Sequence, residues 1–159
     1  MTANVVDWDA VYAACAPGLL AYLRRLSRDV ETAEDLMQTT FQRAIAARGA
    51  PPTEEMRPWL YRIASNLVID RARRAGLLRF VPFAETEEAP ATADDATEAV
   101  RHALRTIAPQ LAVTLVLRLH EGFSRAEVAS LMGVSERTVK WRLERGRAAF
   151  AAAYRRDSE

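Results

Sequence analysis

Residues Ser124 to Arg147 read SRAEVASLMGVSERTVKWRLERGR. Ser124 with Glu127 three positions on is a capping-box pattern, which starts a helix just before the apolar positions Val128, Leu131 and Met132. Ala129 sits where a second helix would cross, and a small residue there lets two backbones approach. Gly133 supplies the left-handed or close-packed conformation that the turn between the two helices demands, and Ser135 then caps the second helix. Val139, Leu143, Gly146 and Phe150 recur at helical spacing as its inward side. The stretch is the outline of a helix-turn-helix, and it sets an all-α reading for the chain.

The outward side of that second helix carries Glu136, Arg137, Lys140, Trp141, Glu144, Arg145 and Arg147. Long donors such as Arg137, Lys140, Arg142, Arg145 and Arg147 reach phosphates and base edges in a major groove. A solvated charged helix would account for the arginines alone. It would not account for the capping box, the small crossing residue, the turn glycine and the apolar register occurring together.

The rest of the 159 residues is half hydrophobic, enough for a buried core in one domain or two small ones. The formal charge of +1 hides local blocks. Arg79 to Glu98 holds Glu85, Glu87, Glu88, Asp94, Asp95 and Glu98 against one basic residue, whereas Val100 to His120 holds Arg101, Arg105 and Arg118 and no acid. Cys15 is the only cysteine, which leaves no intramolecular disulfide and no cysteine cluster for zinc. His102 and His120 have no metal-ligand neighbour at helical spacing. No secretory leader pattern and no window approaching about 18 continuous apolar residues is present, so a cytoplasmic protein without membrane insertion is expected.

Taken in order, Asp7 to Leu26 carries Trp8, Val11, Tyr12, Cys15, Leu19, Leu23 and Leu26 on one helical stripe, with Pro17 expected to kink or split the helix near Ala16. Thr32 to Asp35 is a capping-box pattern opening a second helix, whose buried face is Ala33, Leu36, Met37, Thr40, Phe41, Ala44 and Ile45. Gly49, Pro51 and Pro52 end it, and Pro58 suits the first turn of a third helix with Trp59, Leu60, Ile63, Ala64, Leu67 and Ala72 inward. Its other face repeats Arg62, Asn66, Asp70 and Arg73 and ends in a basic patch with Arg71 and Arg74; an ordinary solvated face is an equal reading of that stripe alone. Ala84 to Thr97, acidic and rich in alanine and threonine, reads as a flexible linker. Beyond it come helices over roughly Thr97 to Ile107 and Pro109 to His120, the latter with Leu111, Leu115, Val116 and Leu119 inward and Gly122 as its stop, and then the helix-turn-helix pair. The expected architecture is two small all-α domains, residues 1–76 and 97–159, joined by residues 77–96.

With both halves read together, the chain resembles an extracytoplasmic-function sigma factor, a promoter-specificity subunit of bacterial RNA polymerase in the sigma-70 family. AEDLMQTTFQRAIAA (Ala33 to Ala47) is similar to that family's polymerase-binding helix, and RPWLYRIASNLVIDRARR (Arg57 to Arg74) to its promoter-melting and -10-reading helix. Ile107 to Arg147 resembles its -35-reading domain. The resemblance implies sigma region 2-like and region 4-like domains and a transcription initiation factor, with no catalytic residue, cofactor or metal. Asp35, Leu36, Gln38 and Phe41 fall where the family docks on the clamp helices of the largest polymerase subunit, although Phe41 also lies on the buried stripe. The loop Gly49 to Arg57 falls where a base flipped from the -10 strand is captured, beside Asn66, Asp70, Arg71, Arg73 and Arg74, with Trp59 and Tyr61 as candidate stacking rings. Arg137, Thr138, Lys140, Trp141, Arg142 and Arg145 fall on the -35-reading helix. The implied partners are core polymerase, through its clamp helices and beta flap, promoter DNA, and an anti-sigma factor wedged between or wrapped around the two domains. Departures from the family pattern are Gln110 to Val113, where an Arg- or Glu-rich segment is usual, the large outward Trp141, and Gly146 in place of a common alanine.

Three other readings compete. A stand-alone helix-turn-helix regulator would not need the helices from Ala33 to Arg74. A sigma-like adaptor that only binds an anti-sigma factor would not need Arg137 and Lys140. A nucleic-acid enzyme would need a phosphate-binding glycine loop, a metal cluster or a nucleophile paired with a base, and none is legible.

Overall fold

A computed structural model describes residues 5–78, 95–157 and 159. The chain order is α1 (Trp8–Leu26), α2 (Val30–Ala46), a short 3-10 turn (Thr53–Glu55), α3 (Met56–Leu78), α4 (Asp95–Thr106), α5 (Pro109–Leu119), α6 (Arg125–Met132) and α7 (Glu136–Asp157), with no strand among the described residues. The acidic stretch Ala84 to Thr97, expected to act as a linker, lies outside the described residues except for Asp95 to Thr97, which already belong to α4. No helix among the described residues is long and apolar enough to cross a membrane.

Asp7 caps α1, its carboxylate accepting the Ala10 N–H at 3.1 Å. Pro17 does not split this helix, which continues as one element to Leu26. Proline removes a bond to the Ala13 carbonyl, but Pro17 and Ala13 are both exposed, so water can serve that carbonyl. Ala16 before the proline and Leu19, Tyr22 and Leu23 after it are all buried and hold both halves of the helix in line. The cap of α2 also differs from expectation. Asp29, not Thr32, is the N-cap, with its carboxylate accepting the Thr32 N–H at 2.7 Å. That hydrogen bond holds the Asp29 carboxyl below its ordinary range. Asp29 at the end of a three-residue connection from α1 meets the free N–H groups first, and Thr32 becomes part of the first turn.

In the second half α5 is the central element. Ala112 through Leu117 are all buried, so the helix is covered on every side by α4, α6, α7 and the first half of the molecule. The single stripe expected for it is therefore too narrow, and Leu119, assigned to that stripe, is 56% exposed. α7 crosses α5 at Gly146, where a Cβ would come within 3.1 Å of Leu115. Glycine here serves close approach of two helices, which accounts for the departure from alanine.

The two halves are packed on each other, and one cluster of buried residues runs through both. α3 lies at the seam, touching α1 and α2 on one side and α5 and α6 on the other. Tyr61, Ser65 and Val68 are buried beyond the expected stripe, Tyr61 against Phe123 and Glu121 of the second half and Ser65 against Tyr22 of α1. The Ser65 hydroxyl donates to the Tyr61 carbonyl at 2.5 Å, so the Tyr22 hydroxyl, 2.6 Å away, donates to Ser65. Every member of this buried chain has a partner, which fixes α1 against α3.

Candidate nucleic-acid interface

The helix-turn-helix is built as its residues dictate. Ser124 Oγ accepts the Glu127 N–H and Glu127 Oε1 accepts the Ser124 N–H, both at 3.0 Å. The Ser124 N–H donated to it, with the Ser124 side chain beside it, holds the Glu127 carboxyl below its ordinary value. Gly133 takes the left-handed conformation at φ 67°, ψ 36°. Val134 N–H then reaches the Ala129 carbonyl at 3.0 Å and closes a Schellman turn. Ser135 Oγ accepts the Thr138 N–H at 3.1 Å and starts α7.

With Val139, Leu143 and Gly146 turned inward, α7 presents Arg137, Lys140, Trp141 and Arg145 to solvent. Trp141 is 55% exposed, and the Arg145 guanidinium lies 5.6 Å from its ring centre, so the pair forms one flat cationic surface. Thr138 and Arg142 are half-buried at the edge of this face, and the Thr138 hydroxyl accepts from Ser135. On α3, Asn66, Asp70, Arg71, Arg73 and Arg74 are all exposed. Asn66, Asp70, Arg73 and Arg74 share one stripe by their spacing of four, three and one. The tyrosine assigned as a stacking ring is not available: Tyr61 is 2% exposed, with its hydroxyl 3.3 Å from the Glu121 carboxylate and its ring against Tyr22 and Phe123. Its phenol is pushed up to about 12 by burial and by that carboxylate. Trp59 is half-buried against the core.

On α2, Asp35 and Gln38 are exposed. Leu36 and Phe41 are 7% and 6% exposed and sit in the core, Phe41 against the Tyr12 ring at 4.9 Å. A partner reaches them only by way of the surface they support. Beside α2 a shallow apolar groove of about 380 Å³ is lined by Tyr12, Ala13, Ala16, Pro17, Leu20 and Met37. Among the described residues no group of three His, Cys, Asp or Glu could hold a metal. His102 pairs with Asp157, and His120 stands 3.6 Å from Glu121.

Glu121 is the site residue that pattern reading passed over. It is the first acid after a run of twenty-two residues without one, Ala99 to His120, and it stands at the C-terminal end of α5, where the helix dipole disfavours an anion. A carboxylate in that position signals nearby cations. The structure supplies them from the first half of the molecule: Arg57 at 3.5 Å and Arg25 at 4.0 Å.

Comparison with known proteins joins the two faces. Residues 11–77 match the model of Sigma-70 region 2 and residues 97–150 that of Sigma-70, region 4. RNA polymerase sigma factor CarQ of Myxococcus xanthus is 32% identical over 146 residues, 87% of this chain and 84% of CarQ. ECF RNA polymerase sigma factor SigL of Mycobacterium tuberculosis is 30% identical, covering 84% of this chain and 81% of SigL. For SigE of Mycolicibacterium smegmatis the identity is 30% over 91% of this chain, which spans 60% of the length of SigE. The fold is shared with the sigma factor RpoE of Bartonella quintana, solved in complex with the anti-sigma factor NepR, at a TM-score of 0.70 and 23% identity over 94% of this chain and 97% of that one. With helices as the only regular elements among its described residues, region 2 carrying one exposed polar stripe, region 4 carrying a helix-turn-helix, and relatives matched over most of their length, the chain belongs to the sigma-70 family as an extracytoplasmic-function sigma factor, a promoter-specific transcription initiation factor of RNA polymerase.

Proposed function

We propose the following division of labour for this sigma factor. Residues 1–76 act as the region 2 domain, with Asp35 and Gln38 as the surface contacts to the largest-subunit clamp helices and Leu36 and Phe41 as the core that positions them. The apolar groove along α1 and α2 supports this, because it adds a water-excluding surface next to polar groups that can give register. Asn66, Asp70, Arg71, Arg73 and Arg74 engage the -10 strand. Residues 97–159 act as the region 4 domain, which contacts the beta flap and reads the -35 element through Arg137, Thr138, Lys140, Trp141, Arg142 and Arg145. The protein is not an enzyme, needs no cofactor, and works in the cytoplasm. An anti-sigma factor is its regulator, a reading supported by the fold it shares with RpoE of Bartonella quintana, which was solved bound to the anti-sigma factor NepR.

The observation that carries the reading is the exposure of two separate cationic faces, on α3 and on α7, each backed by a rigid helical core. A repressor would bind duplex DNA tightly alone, commonly as a dimer on half-sites about one turn apart. Two faces on one chain instead need a platform that sets their separation, and docking on polymerase raises the effective concentration of each face for its element. Isolated protein should shift promoter duplex weakly and in a salt-sensitive way, and core polymerase should convert this to tight, specific binding. Asp35→Ala and Gln38→Ala should weaken the core-dependent shift, and Arg137→Ala should reduce discrimination between cognate and scrambled -35 sequences by about 1–3 kcal/mol. Tight specific binding without core polymerase, unaffected by the α2 substitutions, would favour the stand-alone regulator.

A further inference from the structure

The seam between the two halves converges on one carboxylate. Glu121 is 10% exposed, and its Oε2 receives the Tyr61 hydroxyl at 3.3 Å and faces Arg57 Nη2 at 3.5 Å. Arg57 also donates to the Glu121 backbone carbonyl at 3.1 Å, and its guanidinium lies 4.8 Å from the Tyr61 ring centre and 4.4 Å from that of Phe123. Arg25 and His120 approach Oε1 at 4.0 and 3.6 Å. A second tie crosses the seam where Arg105 of α4 donates to the Ser27 carbonyl at 3.2 Å while held by Glu98. Glu121 stands against the dipole of its own helix, so its placement is favourable only while the cations of the first half face it.

Size supplies the second argument. A packed chain of 159 residues has a radius of gyration of about 15 Å, hence a diameter of about 40 Å. Elements at -35 and -10 lie about 25 base pairs apart, about 85 Å along the duplex. Their readers on α3 and α7 cannot reach both while the seam is closed. Arg57, at the end of the loop placed by resemblance against the flipped -10 base, is meanwhile committed to Glu121.

We infer that Glu121 is a latch: it holds region 4 against region 2 in a closed, promoter-incompetent form of the free sigma factor, occupying Arg57 with a carboxylate where the open form offers it to the DNA backbone. This rests on the two-element reading proposed above. In the closed state the apparent affinity for core polymerase and promoter is reduced by the fraction of molecules that is open. Breaking the latch raises that fraction without adding a contact.

The test uses the full chain in a Cys15→Ser background, spin-labelled at cysteines replacing the exposed Ala75 and Ala151, with double electron–electron resonance distances and run-off transcription measured on the same preparations. Wild type should give one short distance, and both Glu121→Gln and Arg105→Gln should add a longer, broad population. At limiting sigma factor the same variants should raise core-dependent transcription, by about tenfold if the open fraction rises from about one-twentieth to one-half. A wild-type distribution already broad, or variants whose distances stay short, would overturn the latch. So would variants that open without gaining transcription. If wild type directs no transcription with core polymerase at all, the function reading fails instead, and the distances still report the seam.

Discussion

The turn between α6 and α7 is shaped by a few side chains, whereas the seam between α3 and the second half joins polar ties to a buried core shared by both halves, and the two depend on the chain in opposite ways. Every bond that shapes the turn joins residues within five positions: Ser124 with Glu127, Ala129 with Val134, Ser135 with Thr138. The seam joins Tyr61 to Glu121 and Arg57 to Glu121 across 60 and 64 positions. A local device is specified by residue type and spacing and forms whenever its own segment does. A distant contact forms only if both halves are already folded and brought together, so it can be made and broken while each half stays intact.

Substitutions can break this comparison at either end. The largest effect is expected at the seam: Phe123 is 2% exposed against Tyr61 and Arg57, and Phe123→Ala should cost about 3–5 kcal/mol. Chemical denaturation followed separately by Trp8 or Trp59 and by Trp141 fluorescence, in single-tryptophan variants, should show the two halves parting into distinct transitions. Coincident transitions with a reduced midpoint would mean that the halves remain one cooperative unit. At the turn, Gly133→Ala places a Cβ at φ 67° and should cost about 1–2 kcal/mol, confined to region 4. An equal shift in both halves would erase the distinction between local and distant.

The smallest effect sharpens it. Ser124→Ala should cost about 1 kcal/mol through the lost cap. Glu127 adds a pH signature, because its folded carboxyl sits below the ordinary value. Its stabilising share is therefore full above the unfolded pKa of about 4.3 and fades as acid carries the pH down through the lowered folded value. The wild-type advantage over Glu127→Ala, measured by thermal melting of region 4 between pH 7 and 3, should shrink over the acid end alone. A constant advantage across that range would mean that the side chain acts by packing.

Legibility in the sequence follows the same division. The caps at Ser124 and Ser135, the turn at Gly133 and the inward set of Val139, Leu143 and Gly146 could be read directly, since each is a rule about neighbours. So could the exposure of Asn66, Asp70, Arg73, Arg137 and Lys140. Tyr61 could not, because its hydroxyl and ring suit a base as well as they suit Glu121, and only the approach of α5 and α6 decides. The width of burial on α5 was hidden for a related reason: an apolar run tells how much is covered and is silent on how many neighbours cover it. Asp29 against Thr32 was a competition between two good caps, decided by the short connection from α1.

Gly146 and Leu115 carry a consequence for sequence drift. The two positions share one volume: a methyl group added at 146 would stand 3.1 Å from the branch carbon of Leu115, so the Leu115 side chain would have to shift by a few tenths of an ångström to admit it. Relatives that carry alanine at 146 should therefore show a shifted, smaller or differently branched side chain at 115. Two positions thirty-one residues apart are thus tied through the crossing of α5 and α7, and a change at one is felt first at the other.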